Sequence, residues 1–243
     1  MRRDYRRPSY APLLGKGMSM ISIKKTITVV VACAVLAAPG LSLSGSEEML
    51  FALGQQRFKA KRYNEAIACF SSVIDAEKIS DKNKAAAYGW RGIVRSAKGE
   101  YEDAVVDFDK AIELNRNDPS LWFNRSTAFV AQGLFDKAHK SVTKAISLDQ
   151  KNYSYYYSRG TIRTKLNDLE KARDDFTAAI SIDNTRAGAY YERARIESIL
   201  EEYDKAKTDI EKATALSPDN WEYDALKKEI LEKQESAKSK KEK

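Results

Sequence analysis

The chain has 243 residues, 43% of them apolar, enough for one ordinary core or one extended repeat array. Its formal charge of +7 looks at first like that of a nucleic-acid binder, but seven Lys/Arg and one Asp fall in residues 1–44, leaving 35 basic and 34 acidic residues over 45–243. With no clustered phosphate-neutralising face on the part that folds, nucleic acid is not an expected partner.

Residues 1–44 read as an N-terminal extension with a signal peptide. Lys24 and Lys25 precede the apolar run "ITVVVACAVLAA", and small residues follow in "PGLSLSG". A charged region, a short apolar region and small residues at Ser42 and Ser44 make an export signal cleaved after Ser44. Met18 or Met20 is the expected start, because the residues before them add nothing to such a signal. The expected location is therefore periplasmic or secreted. Membrane attachment would need either an uncleaved leader over 27–44, which Pro39-Gly40 interrupts, or a lipid anchor at Cys33, where the apolar run continues instead of giving way to a polar tether. The arginine pairs Arg2-Arg3 and Arg6-Arg7 lie too far from the apolar run for a twin-arginine signal. Once the leader is removed, Cys69 stands alone and no intramolecular disulfide is possible.

From residue 47 the sequence repeats with a period of 34 residues: 47–80, 85–118, 119–152, 153–186 and 187–220, with Asp81 to Lys84 outside the frame. Position 8 of each unit is Gly54, Gly92, Ser126, Gly160 and Ala194. Position 20 is alanine throughout: Ala66, Ala104, Ala138, Ala172 and Ala206. Position 24 is Phe70, Phe108, Val142, Phe176 and Ile210. Positions 20, 24 and 27 lie on one face of a second helix, and positions 4 and 8 on one face of a first. Small residues at 8 and 20 let the two helices approach closely, and large residues at 4 and 24 fill the space on either side. Gly99, Gly133 and Asn167 suit the left-handed residue that ends the first helix. Asp118, Asn152 and Asn220 suit N-caps at the unit boundaries, with Pro119 in a first helical turn.

After the last unit, Tyr223, Leu226 and Ile230 form one apolar stripe, so 221–234 is expected to cap the array. Residues 235–243, "ESAKSKKEK", read as a lysine-rich disordered tail.

A 34-residue helix–turn–helix unit with a small residue at position 8 and Ala at position 20 resembles the tetratricopeptide repeat (TPR). The resemblance covers 47–220 and departs from the family pattern at position 32, where only Pro218 supplies the usual proline. It implies an all-α, right-handed α-solenoid of five repeats closed by a capping helix.

An arginine recurs at position 7 as Arg91, Arg125, Arg159 and Arg193. Position 23 is Asp107, Ser141, Asp175 and Asp209 in the same units, and the first unit has Leu53 and Cys69 instead. The unit without the Arg also lacks the Asp, and three of the four units with the Arg carry it, so the expected pairs are Arg91 with Asp107, Arg159 with Asp175 and Arg193 with Asp209, joining the two helices of each repeat. Arg125 would be unpaired. An anion-binding ladder of the four arginines is the functional alternative.

The resemblance further implies a concave groove lined by the first helices, in which family members bind protein or peptide partners. Family groove positions here hold Trp90, Phe123, Asn124, Thr127, Tyr157, Ser158, Thr161, Tyr191, Glu192 and Arg195. Aromatics and hydrogen-bonding side chains offer large contact area at low entropic cost. A carboxylate clamp of the chaperone-binding type is not expected. Asn124 matches one of its positions, but Gly89, Phe123, Ser120 and Ser154 stand where basic residues would be needed. His139 is the only histidine, and no metal set, phosphate-cradling loop or nucleophile–base pair is present, so neither cofactor nor catalysis is expected. The sequence thus reads as an exported, non-catalytic binder of a protein or peptide. The alternative is a structural subunit of a cell-envelope complex that docks through its convex face or termini.

Overall fold

The computed structural model describes residues 45–241, with eleven α-helices and no strand among them. The leader expected over 1–44 lies outside the described residues. The helices are α1 (Gly45–Lys59), α2 (Tyr63–Ile74), α3 (Asp81–Lys98), α4 (Tyr101–Leu114), α5 (Pro119–Ala131), α6 (Phe135–Leu148), α7 (Tyr153–Lys165), α8 (Leu169–Ile182), α9 (Ala187–Ile199), α10 (Tyr203–Leu216) and α11 (Trp221–Lys241). Each packs chiefly on the helix before it and the helix after it, the one-dimensional pattern of a solenoid. No helix among the described residues is long and apolar enough to cross a membrane.

The helix ends follow from local chemistry. The side chains of Asp118 and Asn152 accept hydrogen bonds from the backbone N–H groups of Ser120 and Ser154, and Asn220 does the same for Glu222. Gly99, Gly133 and Asn167 adopt φ of 94°, 75° and 61° in the turns between paired helices. Lys61 (59°) and Glu201 (61°) take the same conformation in the first and last repeats, where no glycine or asparagine marked it. The four residues outside the repeat frame, Asp81 to Lys84, form the first turn of α3 behind the N-cap Ser80. They lengthen that helix to 18 residues against 13 in α5, α7 and α9.

The C-terminal expectation is corrected. α11 does not stop at 234 but continues to Lys241. The segment holds no glycine or proline to end it, and Ala, Glu and Lys are good helix formers. A Glu229–Lys233 pair at 2.6 Å spaced i,i+4, and hydroxyl bonds from Ser236 and Ser239 to carbonyls one turn back, lie along the helix.

The core runs along the array between first and second helices. The alanines at position 20 and the large residues at position 24 are all essentially inaccessible to solvent. Residue size at position 8 complements residue size at position 24. A Cβ at Gly54, Gly92 or Gly160 would stand 2.8 to 2.9 Å from ring carbons of Phe70, Phe108 or Phe176. Where position 24 shrinks to Val142 or Ile210, position 8 grows to Ser126 or Ala194. The Ser126 hydroxyl then donates to the Ala138 carbonyl at 2.8 Å.

In three of the four repeats that carry it, the recurring arginine joins three helices. Arg91 donates from Nε (3.0 Å) and Nη2 (2.7 Å) to the buried Asp107 in the paired helix, and from Nη1 to Ser71 Oγ (2.9 Å) in the preceding repeat. Its guanidinium also lies 5.3 Å from the centre of the Tyr88 ring one turn back. Arg159 makes the same fork to Asp175 (3.0 and 2.7 Å). Arg193 grips Asp209 and reaches Thr177 Oγ1 at 3.0 Å. A second arginine four residues on completes two of these sites, Arg95 at 2.9 Å from Asp107 and Arg163 at 2.8 Å from Asp175. The expectation that Arg125 is unpaired is corrected. It bonds Ser141 and forms an ion pair with Asp109 of the preceding repeat, because the acid has moved from position 23 of its own unit to position 25 of the one before.

Two outcomes are expected in urea denaturation. Asp175→Ala strands two half-buried guanidinium groups and costs about 3–5 kcal/mol, and the Arg159→Ala/Asp175→Ala cycle shows coupling of at least about 1 kcal/mol; additive losses would mean that the fork does not hold the repeat together. Gly160→Ala overpacks the Phe176 ring and costs about 1–3 kcal/mol, whereas in a Phe176→Ile background the same change is neutral or stabilising.

Candidate ligand groove

The ten expected groove residues divide between the two halves of the array. In the N-terminal half, Trp90, Phe123 and Asn124 are buried and unavailable to a ligand, which corrects their assignment. The Trp90 ring stacks on Phe70 at 5.8 Å and meets Phe51 and Phe58 edge-on at 6.3 and 6.1 Å. The indole at position 6 thus fills the space between the first two repeats, and at position 5 a Cβ on Gly89 would stand 2.8 Å from Leu121 of the next repeat. Phe123 packs on Tyr155 at 4.8 Å. Thr127, half-buried beside them, donates its hydroxyl to the carbonyl of Phe123 in its own helix (3.2 Å).

In the C-terminal half, Tyr157, Ser158, Thr161, Tyr191, Glu192 and Arg195 all remain partly exposed on α7 and α9. Tyr157 stacks on Tyr153 one turn earlier (centroids 5.7 Å apart, planes 16° apart) and meets Phe176 edge-on at 5.6 Å. Its phenol oxygen approaches the backbone of Gly188 at the start of α9, where a Cβ would stand 3.6 Å from it. Tyr191 packs on Tyr223 of α11 at 4.8 Å. Arg195 pairs with Glu192 at 2.7 Å and lies 5.9 Å from the centre of the Tyr191 ring. Thr161 donates to the Tyr157 carbonyl at 3.0 Å. Tyr153 and Tyr223 belong to this cluster although the family groove positions omit them. The i,i+4 spacing of Tyr153 and Tyr157 was the available sign for the first, and nothing in the repeat frame marked the second.

The cluster is a surface of neutral phenols around one ion pair. Burial is the main cause that pushes the Tyr157 phenol far above its usual range, and the Glu192 carboxylate adds to it. Burial likewise raises Tyr191, and carries Tyr153 and Tyr155 to about 12. Such groups donate and accept hydrogen bonds and present flat apolar faces, but none is poised to move a proton at physiological pH. Elsewhere, His139 is half-buried, and burial together with Arg163 and Arg159 keeps it below the ordinary histidine range. No group of three metal-ligating side chains occurs among the described residues.

Tetratricopeptide-repeat models match residues 85–118, 123–191 and 187–220. The chain belongs to the tetratricopeptide-repeat family. Solved structures agree at the level of the fold. A TPR protein from Parabacteroides merdae is 15% identical, with 77% of this chain and 73% of that one covered and a TM-score of 0.68. A MamA double mutant (RS-1) is 16% identical, covering 73% and 97%, with a TM-score of 0.66. YrrB, described as a TPR protein with an unusual peptide-binding site, is 19% identical, covering 84% and 99%, with a TM-score of 0.63. No curated protein sequence matches this chain. Within this TPR array the tyrosine-lined half of the groove is the candidate site.

The raised phenols give a pH signature. A neutral phenol favours the folded state, so the associated stability is complete below pH 10 and is lost as pH climbs towards about 12. Ultraviolet titration should show Tyr153 and Tyr155 ionising near pH 12 and Tyr157 later, with Tyr157→Phe removing the last phase; a single phase near pH 10 would contradict the burial.

Proposed function

We propose that this TPR protein binds an extended segment of another protein along α7, α9 and the start of α11, and that it has no catalytic activity of its own. The observation that carries the reading is the tyrosine cluster of Tyr153, Tyr157, Tyr191 and Tyr223 around the Glu192–Arg195 pair. Tyr153, Tyr157 and Tyr191 stay partly exposed over the buried Tyr223, while Trp90 and Phe123 of the N-terminal half are consumed by packing. Rigid aromatic faces flanked by a carboxylate and a guanidinium suit a mixed-polarity peptide, whose backbone and side chains can stack and hydrogen-bond without a fixed terminal charge. YrrB, a fold neighbour, is described as having a peptide-binding site, which supports the class of ligand. The leader "ITVVVACAVLAAPGLSLSG" supports export, and hence a partner outside the cytosol.

Selection of displayed random peptides on the wild-type chain tests the reading. The control is a Ser158→Arg/Glu192→Lys variant shown by circular dichroism to stay folded. Peptides that bind the wild type and lose about tenfold or more in affinity for the variant place binding in this half of the groove. Peptides indifferent to both changes would move the binding surface to the convex side or the termini.

A further inference from the structure

Position 11, four residues after the recurring arginine, varies with position 23. It is Arg95 opposite Asp107, Phe129 opposite Ser141 and Arg163 opposite Asp175. In the last repeat it is Glu197, opposite Asp209. Two acids therefore stand where other repeats set an arginine against an acid. Arg193 is the one arginine bound to Asp209, through Nε and Nη2. Glu197 is only 5% exposed, and its Oε2 has no hydrogen-bond partner. The other charges facing it are already engaged. Lys205 on α10 bonds Glu202 at 2.9 Å, and Arg173 of α8 holds the same carboxylate at 3.0 Å. Burial, with the Asp209 and Glu202 charges adding to it and Arg193 and Lys205 opposing, raises the Glu197 carboxyl from 4.5 to about 7.

We propose that Glu197 is a proton-operated latch between the two helices of the last repeat: held neutral against Asp209, it keeps α9 on α10, and loss of its proton loosens this end of the array. A neutral carboxylic acid near the Asp209 carboxylate adds no charge, whereas two buried carboxylates repel and leave Arg193 to neutralise both. Asp107 and Asp175, each held by two arginines, need no such proton. Because α9 also carries Tyr191 and packs through it on α11, the loosening extends to the capping helix. The sign follows from the direction of the shift. The folded state binds the proton more tightly than the unfolded chain, so this contribution to stability is complete below pH 4.5. It declines across the interval and is gone above about pH 7.

Thermal unfolding of the full chain between pH 5.5 and 8.5 tests the latch against Glu197→Gln, the permanently neutral isostere, and Glu197→Arg, which rebuilds the arrangement of Arg95 and Arg163. The wild-type midpoint should fall by roughly 5 °C across this range relative to Glu197→Gln, and Glu197→Arg should exceed the wild type at pH 8.5. Wild-type and Glu197→Gln midpoints that run parallel would overturn the proposal. Carbon-13 NMR of the wild-type carboxyl decides independently of either variant's folding: a Glu197 midpoint near 7 sustains the latch, and one near 4.5 ends it.

Discussion

Each repeat is organised around one close approach, where the position-8 residue of the first helix meets the position-24 side chain of the second beside an invariant alanine. Packing density in an interior is high enough that a single methyl at this point has nowhere to go. Glycine is therefore found opposite phenylalanine, and serine or alanine opposite the smaller valine and isoleucine. The contact sets the distance between the two helices of a repeat. That distance in turn lets the position-7 guanidinium span from its own second helix to the second helix of the repeat before. Remove the close approach and the arginine fork loses its geometry.

The fork does different work from the apolar contact. A buried ion pair adds little net stability, since desolvation offsets most of the attraction, but a two-pronged guanidinium–carboxylate contact accepts one registration of the helices and rejects others. Ser71, Asp109 and Thr177, all at position 25, extend that registration from within a repeat to between repeats. The aromatic one turn before each arginine covers its face, so Arg91 and Arg193 are enclosed by an acid, a polar residue of the previous unit and a ring.

Function then depends on what this packing leaves over. In the first repeats the aromatics of the groove positions meet other aromatics, Trp90 on Phe70 and Phe123 on Tyr155, and the surface closes. Towards the C-terminus the tyrosines stack in pairs along α7 and across to α11, which leaves edges, hydroxyls and the Glu192–Arg195 pair in reach of a ligand. The same end carries the one repeat in which position 11 is acidic. The ligand-facing part of the array is thus also the part whose internal electrostatics differ from the rest.

The sequence by itself determined the period, the pairing of helices and the Arg–Asp partners, because each is a local or nearest-neighbour property repeated in register: a cap, a left-handed turn residue, a small residue facing a large one, an arginine matched by an aspartate in three of the four units that carry it. It also held the second function of position 25 and the acid at position 11, legible once the column was compared with its neighbours in space. Only the tertiary structure decided which groove aromatics are available. Trp90 and Tyr157 occupy neighbouring family groove positions, yet the first is enclosed by Phe51, Phe58 and Phe70 from the repeat before it, while the second packs on Tyr153 and Phe176 and keeps part of its surface. Exposure at such a position is a sum over side chains from adjoining repeats, and no period in one helix encodes it. The length of α11 was likewise open to sequence reading in principle. Its charged composition resembles that of a disordered tail, and the absence of any residue that stops a helix was the stronger sign.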